Sequence, residues 1–119
     1  MPRTAITKQA ILGPYPTMPV AANSLDITLA ACDVANGNQV VPSGDDVLVV
    51  LNSDPTNPYT FTLASVADDK GRTGDITTYS LSAGEYAFFR LKKTGWMQSD
   101  GNIYINGSNA AIKFAVLTL

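Results

Sequence analysis

Histidine is absent from this 119-residue chain, which removes the commonest general base and the commonest transition-metal ligand together. Cysteine occurs once, as Cys32, so neither an internal disulfide nor a cysteine-rich zinc site can form. A reactive thiol needs a neighbour to lower its pKa, and without histidine only Lys, Arg or a helix N-terminus can do so. Cys32 therefore reads as a small buried or half-buried side chain closing the alternating run 25–32. Charge is scarce as well: Asp, Glu, Lys and Arg make up 15% of the chain, against about 25% in an ordinary globular domain. With a net charge of -2 the chain lacks the concentration of Lys and Arg that displaces counterions from phosphates, so no nucleic-acid partner is expected. A neutral surface rich in Thr, Ser, Asn and Gln must remain, and it suits a protein held against a partner, since dry interface cores are depleted of charge.

Long apolar runs are missing too. The longest strongly apolar stretch, Val47-Leu48-Val49-Val50-Leu51, is far short of the roughly 20 residues that a spanning helix needs, so no membrane partner is expected. After Met1-Pro2-Arg3 the residues Lys8 and Gln9 interrupt any apolar leader core, and no secretion signal is expected. No stretch combines i, i+3, i+4, i+7 apolar spacing with caps, which excludes a helix of ordinary length.

What is present is a cadence of short β-type runs separated by turn residues. Strands are expected over 25–31, 39–41, 47–52, 59–66, 76–81, 85–91, 102–106 and 112–119. Asn36-Gly37-Asn38, Ser43-Gly44-Asp45, Ser82-Ala83-Gly84, Asp100-Gly101 and Asn106-Gly107 supply the turn chemistry between them. The two-residue period sets Leu25, Ile27 and Leu29 on one face, as it does Tyr59, Phe61 and Leu63, and Ile103 and Ile105. The run 47–51 does not alternate, which marks a central strand covered on both sides or a strand near an oligomer contact. Pro2, Pro14, Pro16 and Pro19 make residues 1–24 an extended arm, and residues 25–119 form one domain. The expected fold is all-β, a single antiparallel β-sandwich, jelly-roll-like, with that arm at its N-terminus.

Candidate sites are few. Asp68, Asp69 and Asp75 offer oxygens, but their spacing is not that of an EF-hand loop, and Lys70 and Arg72 place positive charge among them. The stretch 67–75 reads as a solvated hairpin loop or a contact loop. Gly71 to Gly74 precedes a strand and not a helix, so it is no phosphate loop. Glu85 and Asp100 are the one carboxylate pair to weigh for glycoside hydrolysis, which also requires a sugar cleft. Trp96 reads as a core or rim anchor, with Trp96, Tyr104 and Tyr86 as a sugar-stacking platform in the rival reading. In the arm, Ile6, Lys8 and Ala10 alternate against Ala5, Thr7 and Gln9, a pattern suited to adding a strand to a neighbour's sheet edge; a loosely docked terminus is the other reading. No catalytic residue, cofactor or metal site is expected.

At 23–28, 33–38, 46–52, 66–76 and the closing Gly95-Trp96-Met97-Gln98-Ser99-Asp100-Gly101 segment, the chain resembles in layout a family of small virion proteins of tailed bacteriophages. The resemblance implies a non-enzymatic capsid decoration, or cement, protein, made in the host cytoplasm and bound to the outside of the shell. It further implies a homo-oligomer, a trimer, with the major capsid protein as partner. Expected capsid or subunit contacts are Arg3, Ile6, Lys8, Ile11, Tyr15, Asp69 and Arg72. A head-tail connector or tail protein and a carbohydrate-binding β-sandwich are the alternatives.

Overall fold

A computed structural model describes residues 2–11, 26–67 and 69–118, and every regular element in them is a strand. In chain order these are β1 (Thr4–Ala5), β2 (Lys8–Ala10), β3 (Ala30–Ala31), β4 (Asn38–Val40), β5 (Asp46–Asn52), β6 (Tyr59–Leu63), β7 (Ile76–Leu81), β8 (Tyr86–Leu91), β9 (Ile103–Gly107) and β10 (Ile112–Thr118). They form two sheets packed as a β-sandwich. Sheet A has the order β1-β4-β9-β6-β7, and sheet B the order β2-β10-β5-β8 with β3 also against β10. From β3 to β10 every pairing is antiparallel.

The arm changes the expected purely antiparallel sheets into mixed ones. β1 runs parallel to β4, and β2 runs parallel to β10. Residues 2–11 thus lie along one side of the sandwich, starting on sheet A and ending on sheet B. Backbone bonds from Thr4 N to Gly37 O (3.0 Å), Ile6 N to Gln39 O (2.8 Å) and Ile11 N to Thr118 O (2.9 Å) hold the strap. The edges of β4 and β10 would otherwise carry unpaired N–H and C=O groups, and the arm satisfies them.

Alternation places the core as the sequence pattern expects along most strands. Leu48 and Val50, Phe61 and Leu63, Ile103 and Ile105, and Phe114 and Val116 face inward and are buried together with Leu81, Leu91 and Ile112. Buried Asn52 ties the sheets together: its Nδ2 donates to the carbonyls of Asn57 and Leu81, both at 2.9 Å, and its Oδ1 accepts from Asp54 N at 3.0 Å. Each polar atom of that side chain is satisfied, which is what allows an amide inside an apolar core.

Two local expectations need correction. The strand expected over 25–31 is reduced to Ala30–Ala31, and Ile27, assigned to an apolar face, is 41% exposed. Residues 26–29 instead give their backbone to the arm, since the Gln9 side-chain amide accepts from Thr28 N at 3.0 Å and donates to Asp26 O. Side-chain bonds of this kind compete with a ladder. Gly107 is the second case, being the last residue of β9 and not part of a turn that needs positive φ. A Cβ there would stand 2.5 Å from Cys32 Sγ and 3.2 Å from Ile112 Cγ2, so glycine is required by close packing.

Candidate interaction surface

Sheet B presents its second face away from the core. With Leu48 and Val50 inward, the two-residue period turns Val47, Val49 and Leu51 of β5 outward. Register places Val49 between Phe88 of β8 and Ala115 of β10, Leu51 between Tyr86 and Lys113, and Val47 between Arg90 and Leu117. The centre is tight, with Val49 and Ala115 each 2% exposed, whereas on the β8 side Tyr86 is 55% and Phe88 71% exposed. Polar groups sit at the corners. Arg90 donates to Asp45 Oδ1 through Nη2 (2.8 Å) and Nε (3.2 Å), and Lys92 Nζ lies 3.7 Å from the same oxygen. These hydrogen bonds and charges hold the Asp45 carboxyl below its ordinary range. The non-alternating run 47–51 is thus a central strand whose middle, Leu48 to Val50, is buried on both sides, the first of the two readings its sequence allowed.

The edges differ. β7, at the rim of sheet A, is bulged: its register with β6 slips between Phe61 and Leu63, and Thr78 takes φ 48°, a sparsely populated conformation for a β-branched residue. Bulges of this kind twist an edge out of reach of further strands. β8, at the rim of sheet B, pairs with β5 residue for residue over its whole length. Among the described residues no strand pairs with its far side.

The expected contact residues fall into three groups. Arg3, Ile6 and Lys8 are engaged within their own chain. The Arg3 guanidinium stacks 4.1 Å above the Tyr104 ring and donates through Nη1 to Asn106 Oδ1 (2.8 Å) and Asn38 O (3.1 Å). Beside it, Thr4 Oγ1 donates to Asp33 Oδ2 at 2.6 Å, which with the Asn36 bonds lowers the Asp33 pKa. Gly37 makes room, having φ 80° and standing where a Cβ would overlap Arg3 and Asn106. Ile6 packs on the core, and Lys8 Nζ lies 3.9 Å from the fully buried Asp46. Burial opposes ionisation of Asp46, but hydrogen bonds from Ser43 Oγ (2.6 Å) and N (2.8 Å), with Thr118 and the Lys8 charge, outweigh it and keep the pKa low. Ile11, Asp69 and Arg72 are exposed, and Tyr15 lies outside the described residues. The arm that suited a neighbour's sheet edge is therefore seen on its own sheets, with a cavity of about 410 Å³ between it and β3.

The rival constellations are not assembled. Glu85 lies in the turn between β7 and β8, accepting from Ser82 N at 2.8 Å; Asp100 lies between β8 and β9, at the other end of the sandwich, accepting from Tyr104 Oη at 2.6 Å. That bond lowers the Asp100 pKa and raises that of Tyr104. Tyr104 is on the outside of sheet A and Tyr86 on the outside of sheet B, while Trp96 packs edge-on against Phe89 at 5.2 Å and against the core. Trp96 is the anchor its core-or-rim reading described. Cys32 is buried, donates to Asn109 O at 3.0 Å, and has its pKa raised chiefly by burial. Among the described residues, no group of three or more His, Cys, Asp or Glu side chains is placed to hold a metal ion.

Phe88 is the surface residue that sequence reasoning missed, and its neighbour on the same face, Tyr86, entered only as part of the rival sugar platform. The signal was available: in Tyr86-Ala87-Phe88-Phe89-Arg90-Leu91 both faces of the strand carry an aromatic ring, so one ring must lie outside the core. Comparison with protein-family models, curated proteins and solved structures finds no match for this chain.

Proposed function

We propose that this is a structural virion protein that decorates and stabilises a bacteriophage capsid as a homo-oligomer, bound to the lattice of the major capsid protein. The observation that carries the reading is the pair of exposed rings, Tyr86 and Phe88, on the outer side of sheet B, beside the apolar row of Leu51, Val49, Ala115 and Leu117. Exposed aromatic side chains on a sparsely charged protein support a protein-binding role, because exposed apolar area marks interaction sites and aromatics are enriched in interfaces. Many copies on a lattice make modest individual contacts collectively strong. The strand order supports the same reading: β3-β10-β5-β8 opposite β4-β9-β6-β7, antiparallel throughout, is an order we read as the double Greek key of a jelly roll. The arm strap pairs one side of such a module, while the β8 rim has no second partner strand among the described residues.

The test is sedimentation of the purified protein with expanded shells, in parallel with unexpanded shells. Stoichiometric co-sedimentation with expanded shells is expected, weakened at least tenfold by Leu117→Lys, which puts a charge on the outer face far from β8. No binding to any shell would overturn the proposal and direct attention to tail components.

A further inference from the structure

Strand β8 is a full-length, unbulged edge, and its backbone polarity can be assigned. Asn52 N donates to Glu85 O at 3.0 Å, and Gly84 N donates to Asn52 O at 2.9 Å, so the even-numbered residues of β5 bond toward β8. On the opposite side Ser53 N donates to Ala111 O at 2.9 Å, so the odd-numbered ones bond toward β10. Val50, Leu48 and Asp46 therefore exchange bonds with Ala87, Phe89 and Leu91. The N–H and C=O groups of Tyr86, Phe88 and Arg90 point away from the sheet, and the side chains of the same residues lie on its outer face.

We infer that β8 is the contact by which two copies of this chain pair, antiparallel across a two-fold axis through Phe88, to make one continuous sheet. The pattern of the strand is self-complementary about that point. Phe88 meets Phe88 of the second copy, and Tyr86 meets Arg90 in both directions, so that every outward N–H and C=O of these residues finds a partner. The Arg90 guanidinium, held by Asp45 at its edge, keeps a face free to stack on the opposing Tyr86 ring. Among the described strands no other edge offers this: β1 and β3 span two residues each and β2 three, while β7 is bulged. The inference goes beyond the proposed shell binding, because it concerns contact between copies and is measured without shells.

The experiment is sedimentation of the purified full chain over a range of concentrations, beside Phe88→Lys. Phe88 is 71% exposed, so the variant is expected to keep the wild-type circular dichroism and melting curve. Wild type is expected to reach twice the mass of Phe88→Lys at high concentration, whether the unit that doubles is a monomer or a larger ring. Equal masses would overturn the inference. A second readout fixes the geometry. Hydrogen-bonded antiparallel partners have Cα atoms about 5.5 Å apart, within disulfide reach. Phe88→Cys is therefore expected to form an intermolecular disulfide under mild oxidation, and Tyr79→Cys on the bulged edge is not. Equal cross-linking of the two variants would overturn the proposed axis. Failure here with intact shell binding leaves the decoration reading standing, and doubling without shell binding separates the two in the other direction.

Discussion

The two sheets are built by the same alternation, yet their outer faces differ in kind. Sheet A shows Gln39, Thr60, Thr62, Ser80, Tyr104 and Asn106 to the outside, and Arg3 caps the one aromatic ring among them. The outer side of sheet B carries Val47, Val49, Leu51, Tyr86, Phe88, Ala115 and Leu117, with Arg90 and Lys113 at its margins. Water satisfies the first set. In the second, Val49 and Ala115 are buried among their neighbours while the Tyr86 and Phe88 rings remain exposed. The edges repeat the contrast, since the rim of sheet A is bulged and that of sheet B is straight. The contrast is what motivates the proposals that sheet B and its rim meet a partner.

The sharpest way to break this comparison lies within one strand. Leu48→Ala on the inner face of β5 is expected to cost about 3 kcal/mol in urea unfolding, from lost burial plus the cavity left behind. Val49→Ala, one residue away on the outer face, is expected to cost no more than about 1.5 kcal/mol in the isolated protein. Equal costs would mean that the outer face of sheet B is a second core, and the distinction between the sheets would collapse.

On sheet A the corresponding lever is the arm socket. Gly37→Ala puts a methyl where Arg3 Nη1 and Asn106 Oδ1 now stand, at φ 80°, and an expected cost of about 1 to 3 kcal/mol follows from the strained backbone. Trypsin should then cleave after Arg3 and Lys8 much faster than in the wild type, with the sandwich itself intact. Unchanged cleavage would show that the arm is held by its strand pairing alone.

The smallest effect expected is that of pH on the same strap. Asp33 and Asp46 both have depressed folded-state pKa values, the first through Thr4 and Asn36, the second through Ser43, Thr118 and Lys8 against the opposing effect of burial. Their contribution is complete above the unfolded aspartate pKa of about 3.9 and is lost as pH falls through the lower folded values. Arm cleavage by pepsin, compared between wild type and Asp33→Asn at pH 4.5 and pH 2.5, should converge at the lower pH. Acid-insensitive docking in the wild type would remove these carboxylates from the account.

How much of this was legible in the chain depends on whether the deciding interaction was local. The runs at 47–52, 76–81, 85–91, 102–106 and 112–119 match β5, β7, β8, β9 and β10 to within a residue or two, because alternation and Gly or Asn turns act over a few neighbours. The hairpin loop at 67–75, the buried Cys32 and the Trp96 anchor were legible for the same reason. The run at 25–31 misled, since its backbone is taken by the side chain of Gln9, a residue distant in sequence. Gly107 misled likewise: its need for glycine comes from the sulfur of Cys32 across the sandwich end.

Absent histidine, sparse charge and two-residue periodicity were enough to specify an all-β domain with few chemical options, since those properties belong to each residue or to its nearest neighbours. Which of the two faces of 47–51 lies outward, which edge stays open, and that the arm straps its own sheets were settled by packing. These depend on pairings between segments more than a hundred residues apart, such as Arg3 with Asn106, and the hydrophobic pattern of a single strand does not encode which segment will lie beside it.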